Sequence, residues 1–498
     1  MLSPAARQLA TSWFKLSLME TEIEIRQQRL AEIRARGLEP FQNHFARTHS
    51  LTAARQLPAG TPKVAVAGRV RQKRVLGKLA FLRLSDEKGS YQIVLQVEQL
   101  PADFKFWAKQ LDLGDFVGAV GETFVTKHGE PSLLVAKLTL LTKALAPLPE
   151  KFHGLTEPEK CLRQRYLDLA VNLTTRQRFQ KRMEIIQLIR DFLLKENFLE
   201  VETPILQTSP SGAIATPFTT HHAAFDLDCV LRIAPETYLK RCLIGGFERV
   251  FEFARCFRNE GLDSTHLQDF TMLELYVSYE NYHFLLDFVE KIFVQLAKVI
   301  GNEVEFKGQK ISWQPPFPRL DFVTEIQKAT GIKVDSAAIE EIREVTQKQA
   351  PEVPNLEKLG AGNLIDVLYK KVVRPKISQP TFFLGHPLAL SPFARRSEEH
   401  PERAERFQLV IAGLEVVNAF SELTDADDQA ARFAEQAKAR AGGDLEALAA
   451  DDEFVKALAH GMPPAAGLGL GIDRLVALLT GCSNLKEAIL FPLMKPEV

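Results

Sequence analysis

The stretch that decides the fold is RVFEFARCFRNEGLDSTHLQDFTMLELY, residues 249–276. Its first part, residues 250–258, and its last part, residues 270–276, alternate apolar and polar side chains, a pattern typical of β-strands. The residues between them form a polar, glycine-containing loop. Charged side chains on central strands are costly unless they are paired or bind a ligand. We therefore expect the unit to gather six residues around one cleft: Arg258, Glu260, His266, Phe270, Glu274 and Tyr276.

Two later segments also combine apolar strands with polar residues. In LEVVNAFSEL, residues 414–423, Glu415, Asn418 and Glu422 interrupt an apolar run. In GLGLGIDRLVALL, residues 467–479, glycines let a ligand lie close to the backbone, and Arg474 opens the helix that follows. The glycines lack the flanking elements of a dinucleotide-binding fold, and the chain has no GxxxxGK[ST] loop. Any ATP site must therefore be of another design.

The first third of the chain has a different pattern. Between residues 63 and 142, short stretches rich in valine and leucine are separated by glycine-containing turns, which predicts a small antiparallel barrel or sandwich. Phe81 follows a cluster of basic residues: Arg69, Arg71, Lys73, Arg74 and Lys78. Cations beside an aromatic ring suit single-stranded RNA, although a basic strand edge can also serve only to discourage aggregation.

Composition divides the chain into segments. We expect an N-terminal extension over 1–60 with a charged surface helix at 20–37, a barrel over 61–145, and a proline-rich linker over 146–173. A larger domain over 174–498 follows, with a helical insertion around 320–380.

Two helices of the larger domain can be predicted in more detail. The first, about 174–196, is expected to bury one face formed by Phe179, Met183, Ile186, Ile189 and Leu193. The alanine-rich, charged stretch 425–460 is expected to be helical and exposed.

Composition also excludes several classes of protein. The 498 residues are 46% hydrophobic, and no apolar run approaches the ~20 residues of a membrane span, so we expect a soluble, cytoplasmic protein. Five widely spaced cysteines without a CxxC pair argue against a zinc site and a disulfide framework. The first 18 residues lack a signal-peptide pattern, and Met1 and Met19 are both candidate starts. With a net charge of -1, any nucleic acid must be bound by local basic patches.

The motifs resemble those of class II aminoacyl-tRNA synthetases. ETPIL (202–206) resembles the end of motif 1, while 232–276 and 467–479 resemble motifs 2 and 3. Within that class, GGFERVFEFARCFRNEG, HLQDFTMLELY, FSELTDADDQ and GLGLGIDRL are most similar to lysyl-tRNA synthetases of the bacterial type, and the likeness extends over about 60–495. The resemblance implies an α+β fold in which an OB-fold barrel that binds the anticodon precedes an antiparallel sheet flanked by helices. It also implies a homodimer formed through motif 1.

The resemblance implies a reaction as well. Such enzymes activate lysine with ATP in the presence of Mg²⁺ and transfer the lysine to tRNA(Lys). By resemblance, Arg258 would bind the ATP α-phosphate and the lysine carboxylate, and Glu260 would recognise the adenine amino group. Phe270 would stack on adenine, His266 would reach the terminal phosphates, and Arg474 would hold the γ-phosphate. Arg258 and Arg474 are thus the expected catalytic residues.

Charge points to a site for the lysine side chain. A buried ammonium group needs acidic partners, which Glu274 and Glu422 would supply together with the Tyr276 hydroxyl. The resemblance adds Gly212 and Glu236 as α-amino contacts and Asn418 as a carboxylate contact. In the barrel, it implies four anticodon-binding residues: Arg74, Phe81, Gln92 and Glu130.

The chain departs from the family pattern at several positions. The family usually holds Mg²⁺ with two glutamates, and this chain has Gln408 at the first position and Glu415 at the second. An amide is a poorer ligand for a hard cation than a carboxylate, so the number of metal ions is open. Ala389 replaces an acidic residue, while Val417 and Ala419 stand where smaller residues are common, which predicts an altered pocket.

Four alternatives stay open. An aspartate or asparagine enzyme of the same class would need a cation where Glu274 and Glu422 stand. A relative that aminoacylates a protein would usually lack the barrel. An inactive tRNA-binding protein is disfavoured by the phosphate-binding set Arg258, Glu260 and Arg474. Finally, the acids of the cleft could merely pair with neighbouring arginines.

Overall fold

The computed structural model describes residues 21–149, 155–213, 215–261, 263–441 and 450–497. The chain divides into two compact units between Thr156 and Glu157. Met19, one of the two candidate starts, lies outside the described residues. In the part of the chain that is described, no helix is long and apolar enough to cross a membrane.

The first unit is built on a closed barrel with the strand order β1-β2-β3-β5-β4. Its strands are β1 (Val64–Leu76), β2 (Leu79–Ser85), β3 (Ser90–Gln96), β4 (Phe116–Val125) and β5 (Pro131–Thr142). Neighbouring strands are antiparallel except β3 and β5. Side chains alternate along β2, where Leu82 and Leu84 are buried and Phe81 and Arg83 face outward. The predicted barrel is confirmed.

Three helices accompany the barrel in the described residues: α1 (21–35), α2 (Leu51–Arg55) and α3 (Phe104–Gln110). The interpretation of α1 as a solvated surface helix is wrong for one of its faces. Ile33 is fully buried in the barrel core, and Arg26 is buried with its Nη1 donating to Leu113 O at 3.0 Å. The missed signal is the apolar pair Leu30 and Ile33, which are three residues apart and so share one helix face.

The second unit is built on a sheet of eight strands among the described residues, in the order β14-β15-β16-β17-β18-β11-β10-β6. In chain order the strands of this unit are β6 (Leu199–Glu200), β7 (Leu206–Gln207), β8 (Thr219–His222), β9 (Leu227–Leu231), β10 (Arg249–Phe257), β11 (Asp269–Ser278), β12 (Glu303–Phe306), β13 (Gln309–Ser312), β14 (Arg319–Asp321), β15 (Thr381–Leu384), β16 (Arg406–Ile411), β17 (Leu414–Ser421) and β18 (Ala465–Gly471). Strands β7, β9 and β8 form a separate small sheet, and β12 and β13 form a hairpin. The central strands β16, β17, β18, β11 and β10 are antiparallel, which confirms the predicted α+β class.

The α-helices described in this unit are α4 (Pro158–Arg163), α5 (Arg165–Val171), α6 (Leu173–Lys195), α7 (Glu236–Ile244), α8 (Tyr282–Ile300), α9 (Phe322–Thr330), α10 (Ile339–Gln349), α11 (Ala361–Leu368), α12 (Ala426–Ala441), α13 (Asp452–Leu458) and α14 (Ile472–Thr480). The largest core lies between the sheet and helices α6, α8 and α14. Its burial of leucine, isoleucine and phenylalanine fixes the sheet, so the opposite face is free to carry polar groups.

The face of α6 differs from the prediction. Phe179, Ile189 and Leu193 are buried as expected, but Met183 is 52% exposed and Ile185 is buried where Ile186 was expected. The helix is turned because Arg182 is buried as well and its Nη1 donates to Asp473 Oδ1 at 2.6 Å. The spacing of apolar residues does not reveal a buried ion pair. The sequence therefore predicted the wrong residues, Met183 and Ile186, for one side of the buried face.

The structure adds detail to three of the segments outlined from the sequence. Within the predicted linker 146–173, α4 and α5 belong to the second unit, where Arg165 forms a buried ion pair with Asp168 at 2.6 Å. Residues 320–380 hold α9, α10 and α11, which share a core of their own. The stretch 425–460 is helical where it is described, but it is not simply exposed, because Phe433 and Phe454 are buried against Phe393.

Candidate active site

A cavity of about 360 Å³ opens on the face of the eight-stranded sheet that does not carry the main core. Its walls come from β11, β17 and β18, the loop between β10 and β11, and the start of α7. The structure brings most of the predicted site residues together there: Gly212, Glu236, Arg258, Glu260, His266, Phe270, Glu274, Tyr276, Glu415, Asn418 and Arg474. The predicted cleft therefore exists as one connected space.

Arginines mark one part of the cavity. Arg258 follows the end of β10, its backbone N–H donates to Gln268 O at 2.8 Å, and its guanidinium carbon lies 5.1 Å from the centre of the Phe270 ring. Arg474 lies in the first turn of α14, and its Nη1 donates to Glu415 O at 2.9 Å. Burial lowers the pKa of Arg474, against the attraction of Glu415. Two guanidinium groups in one cavity suit a polyphosphate.

The loop between the motif strands is organised around Asp263. His266 Nδ1 lies 2.8 Å from Asp263 Oδ2, and the Thr265 hydroxyl donates to Asp263 Oδ1 at 2.8 Å. Partial burial raises the pKa of Asp263, but these hydrogen bonds outweigh burial and bring it to about 2. Asp263 therefore orients the exposed His266 ring as an anionic partner. Glu260 accepts from Thr216 N at 3.3 Å across the cavity mouth.

A β-bulge explains how one strand presents successive residues to the cavity. Leu409 of β16 lies opposite Val417 of β17, but Val410 lies opposite Glu415, so Val416 is an extra residue in β17. A bulge re-aims the side chains beside it. As a result Glu415, Val416 and Asn418 all line the cavity, whereas strict alternation would have turned Glu415 to the core.

Carboxylates mark the other part of the cavity. Glu274 is buried on β11, and the Tyr276 hydroxyl donates to Glu274 Oε2 at 3.0 Å. Burial and, after it, the charge of Glu236 raise the pKa of Glu274 to about 8. Gly212 has a φ of 86°, and a Cβ there would come within 2.9 Å of Glu236 Cβ, so only glycine lets the two segments approach this closely.

Glu422 occupies a different position from the one expected. It is not among the residues that line the cavity but is buried behind the wall, with Oε2 2.6 Å from Lys240 Nζ. Its Oε1 points to the wall at Gly467, where a Cβ would overlap both this oxygen and the Tyr276 ring. Burial raises the pKa of Glu422, and the Lys240 ammonium opposes that increase. Glycine at position 467 therefore lets β18 pass close to both the carboxylate and the Tyr276 ring.

Sequence reasoning missed three contributors to this site. Lys240 lies four residues after Glu236 on α7, a spacing that could have suggested an ion pair. Arg406 lines the cavity, and its Nε donates to Asn418 Oδ1 at 2.8 Å. Arg406 lies two residues before Gln408, so the two side chains are on the same face of a strand. This spacing could have indicated that Arg406 belongs to the site. Gly467 was read only as part of a glycine pattern.

The positions that depart from the family pattern are less central than expected. Val417 and Ala419 are buried in the main core on the other side of the sheet and do not line the cavity. Ala389 is exposed and also lies outside the cavity wall. The prediction that these three residues alter the pocket is therefore wrong. Gln408 lies behind Glu415, and its Nε2 donates to Glu415 Oε2 at 3.0 Å.

The barrel presents its own set of predicted residues. Arg74 of β1 and Phe81 of β2 are cross-strand partners. Gln92 of β3 is the partner of Arg83 on one side and of Ser132 on the other, and Arg83 donates to Glu130 at 2.9 Å. Phe81, Arg83 and Gln92 are only partly buried on the outer face of their strands. Arg83, which the sequence analysis did not name, therefore belongs to this surface.

Comparison with known proteins assigns each of the two units to a family. Residues 157–495 match the family model of tRNA synthetases class II (D, K and N), and residues 64–141 match that of the OB-fold nucleic acid binding domain. Three curated relatives are lysine–tRNA ligases. That of Carboxydothermus hydrogenoformans is 43% identical over 95% of this chain and 98% of its own length. Those of Pelotomaculum thermopropionicum and Salmonella arizonae are 42% and 43% identical, over 95% and 96% of this chain and 95% and 97% of their own lengths.

The chain therefore belongs to the class II tRNA synthetases of the aspartate, lysine and asparagine group. Within that group it belongs with the lysine–tRNA ligases, because its similarity to them extends over nearly the whole of both chains. The resemblance inferred from the motifs is confirmed.

Proposed function

We propose that this chain is an ATP-dependent ligase that activates lysine as lysyl-adenylate and transfers it to tRNA(Lys). The observation that carries lysine as the substrate is the pair of buried carboxylates, Glu274 and Glu422. Glu274 accepts from the Tyr276 hydroxyl, and Glu422 Oε1 lies against Gly467, as the Tyr276 ring does. A substrate with an acidic side chain would meet two like charges there. A substrate ammonium group would instead form ion pairs with both carboxylates and donate a hydrogen bond to the Tyr276 hydroxyl oxygen.

The site supports activation by positioning and charge stabilisation. The lysine carboxylate would attack the α-phosphorus of ATP, forming a C–O–P bond as the bond to pyrophosphate breaks. Arg258 would hold both reacting groups, and Arg474 would bind the γ-phosphate as negative charge passes to the leaving group. Phe270 would stack on adenine, while Glu260 would accept from its amino group and His266 would reach the terminal phosphates. No general base is needed, since the attacking carboxylate is already ionised.

The other lysine contacts follow from the same geometry. Glu236 and Gly212 meet at one wall, which suits the α-ammonium group. Asn418, held by Arg406, would contact the lysine carboxylate together with Arg258. In the second step, a ribose hydroxyl at the 3′ end of the tRNA would attack the carbonyl carbon of the adenylate, and AMP would leave.

The residues present fit a magnesium ion that arrives with ATP. In the described residues no cluster of three or more His, Cys, Asp or Glu side chains could hold a metal. Magnesium commonly binds through one or two carboxylates together with substrate phosphates, and Glu415 can supply one. Gln408 already donates to Glu415. When bound, the ion would neutralise phosphate charge; Glu415 is its proposed protein ligand, and Gln408 would position Glu415.

Two further proposals concern assembly and location. The edge strand β6 and the residues after it expose Leu199, Ile205 and Leu206, an apolar edge that suits a homodimer through the motif 1 region. Sedimentation velocity tests this, and a monomer at micromolar concentration would contradict it. The five cysteines all lie in described residues and are free thiols, which suits a reducing cytoplasm.

The decisive experiment is isotope exchange between pyrophosphate and ATP with each amino acid in turn. We expect exchange that depends on lysine, because only a side chain with an ammonium group can pair with the carboxylates of Glu274 and Glu422. Aspartate and asparagine should give no more exchange than buffer. Equal exchange with aspartate would contradict the assignment of the substrate, and charging of lysine tRNA transcripts would then test the second step.

A change in the barrel should separate tRNA binding from activation. Phe81→Ala should lower kcat/KM for tRNA about 5- to 100-fold, because stacking on a base contributes ~1–3 kcal/mol. Lysine-dependent exchange should be unaffected, because Phe81 lies in the first unit. Phe41→Ala is a matched control, since Phe41 is also exposed and packs near a cation, Arg34, but is not part of the β1–β2–β3 face. Equal loss of tRNA charging in both variants would remove Phe81 from the anticodon site.

A further inference from the structure

Lys240 is a buried cation that the proposed reaction does not use. It lies on α7 one turn after Glu236 and is 1% exposed. Its Nζ lies 2.6 Å from Glu236 Oε1 and 2.6 Å from Glu422 Oε2. Four aromatic rings surround the ammonium group, with centres 5.9, 4.6, 5.4 and 5.7 Å away: Tyr276, Phe393, Phe420 and Phe454.

This environment keeps Lys240 charged. Burial alone would lower the pKa of an ammonium group, but the carboxylates of Glu236 and Glu422 outweigh burial and raise the pKa of Lys240 above its ordinary value. The faces of the surrounding rings also attract a cation. Lys240 is therefore an ammonium ion, held by two of the carboxylates to which the proposed function assigns the substrate.

The charges of lysine and of the carboxylates balance when Lys240, which contacts two of them, is counted; Arg406, which also lines the cavity, donates to Asn418 instead. Glu236, Glu274 and Glu422 carry three carboxylates, and lysine brings two ammonium groups, while its own carboxylate is matched by Arg258. Lys240 supplies the one remaining positive charge. An unbalanced charge in a buried site is costly, so a pocket without Lys240 would retain a proton instead.

We propose that Lys240 is a specificity-determining, positioning residue that acts as a built-in counter-charge for Glu236 and Glu422. It holds Glu422 Oε2 on the far side of the wall and leaves Oε1 directed at Gly467, toward the cavity. Both carboxylates are thereby fixed in place, and the Lys240 charge opposes the rise in the pKa of Glu422 that burial causes. This inference rests on the proposed function and deepens it.

Selectivity against neutral amino acids should follow. Norleucine has nearly the shape of lysine without the ammonium group, so it would leave the buried Glu422 Oε1 without a hydrogen-bonding partner. A site that loses a hydrogen-bonding partner in this way rejects the analogue strongly. Without Lys240, the main charge that opposes the effect of burial on the pKa of Glu422 would be lost, so its carboxyl would hold a proton more strongly and norleucine would bury less unpaired charge.

The test compares lysine, norleucine and ATP binding to the full-length protein by isothermal titration calorimetry. Lys240→Met keeps the length and apolar stem of the side chain while removing its charge. We expect the Kd of lysine to rise while that of norleucine falls or is unchanged, so the preference for lysine, which is the Kd of norleucine divided by that of lysine, drops by about 10-fold or more. The Kd of ATP should not change, because the phosphate-binding arginines are intact. A purely structural role predicts loss of all three ligands together.

Controls keep the outcomes distinct. Lys456→Met removes an exposed ammonium that pairs with Glu453 at 2.6 Å, and it should leave every Kd unchanged. Lys240→Gln gives the same readout if the methionine variant does not fold. A ratio of lysine to norleucine affinity that stays at the wild-type value in a folded variant overturns the proposal. Failure of the wild-type protein to bind lysine would instead overturn the proposed function.

Discussion

Glu274→Gln should raise the lysine concentration needed for half-maximal ATP–pyrophosphate exchange by about 150- to 5,000-fold, because breaking a buried ion pair from one side costs ~3–5 kcal/mol. Glutamine retains the size of glutamate and can still accept from the Tyr276 hydroxyl. The change therefore removes charge and little else. The KM of ATP should stay near the wild-type value, so the loss is confined to the amino acid. Glu303→Gln, an exposed change on β12, serves as the control.

The same carboxyl predicts how lysine binding depends on pH. With a pKa raised to about 8, Glu274 is protonated in the ligand-free pocket at pH 7 and must release its proton when an ammonium group binds. Lysine affinity should therefore rise from pH 6 toward pH 8, by at most about 10-fold per pH unit for one proton. In the Glu274→Gln variant this rise should become shallower. An unchanged pH profile together with an unchanged KM would remove Glu274 from the lysine site.

The chemistry of the site was largely predictable because it lies in contiguous motifs. Arg258 and Glu260 follow one strand and Phe270 and Glu274 occupy the next, so a strand–loop–strand unit brings them together by local geometry. Arg474 could be placed because the glycine-rich strand and the helix after it adjoin in sequence. The α+β class and the barrel followed from changes in apolar periodicity.

The parts that sequence reasoning missed depend on distant residues or on irregular backbone. The ion pair between Lys240 and Glu422 joins positions on α7 and just after β17. The bulge at Val416 turns the Glu415 side chain to the face of the sheet opposite to the one it would have in a regular strand. No local sequence pattern indicates this bulge. Val417 and Ala419 were expected at the pocket from the family resemblance alone, although regular alternation beyond the bulge turns them into the core. Long-range pairing and register thus set the limit of the prediction.

The second large effect is expected at Gly467, where the structure allows no added carbon atom. An alanine Cβ would overlap Glu422 Oε1 and the Tyr276 ring. Neither group can move freely, because Glu422 lies against Lys240 and the Tyr276 hydroxyl is bonded to Glu274. Gly467→Ala should therefore displace both sides of the ammonium site, and a displacement of ~1 Å in such a site can cost 100-fold.

The prediction is a Kd for lysine about 100-fold above that of the wild type, with ATP binding retained. Gly245→Ala is the control, because Gly245 ends α7 outside the cavity wall, has a φ of -73°, and a Cβ there meets nothing closer than 3.4 Å. Both Kd values are measured by calorimetry without ATP, so that only the amino-acid site is compared. If the two variants bind lysine equally well, the close approach of β18 to Glu422 and Tyr276 does not shape the pocket. If only Gly467→Ala weakens lysine binding, β18 needs glycine at this position to approach the Glu422 carboxylate. The glycine then shapes the lysine site as well as making room for ATP.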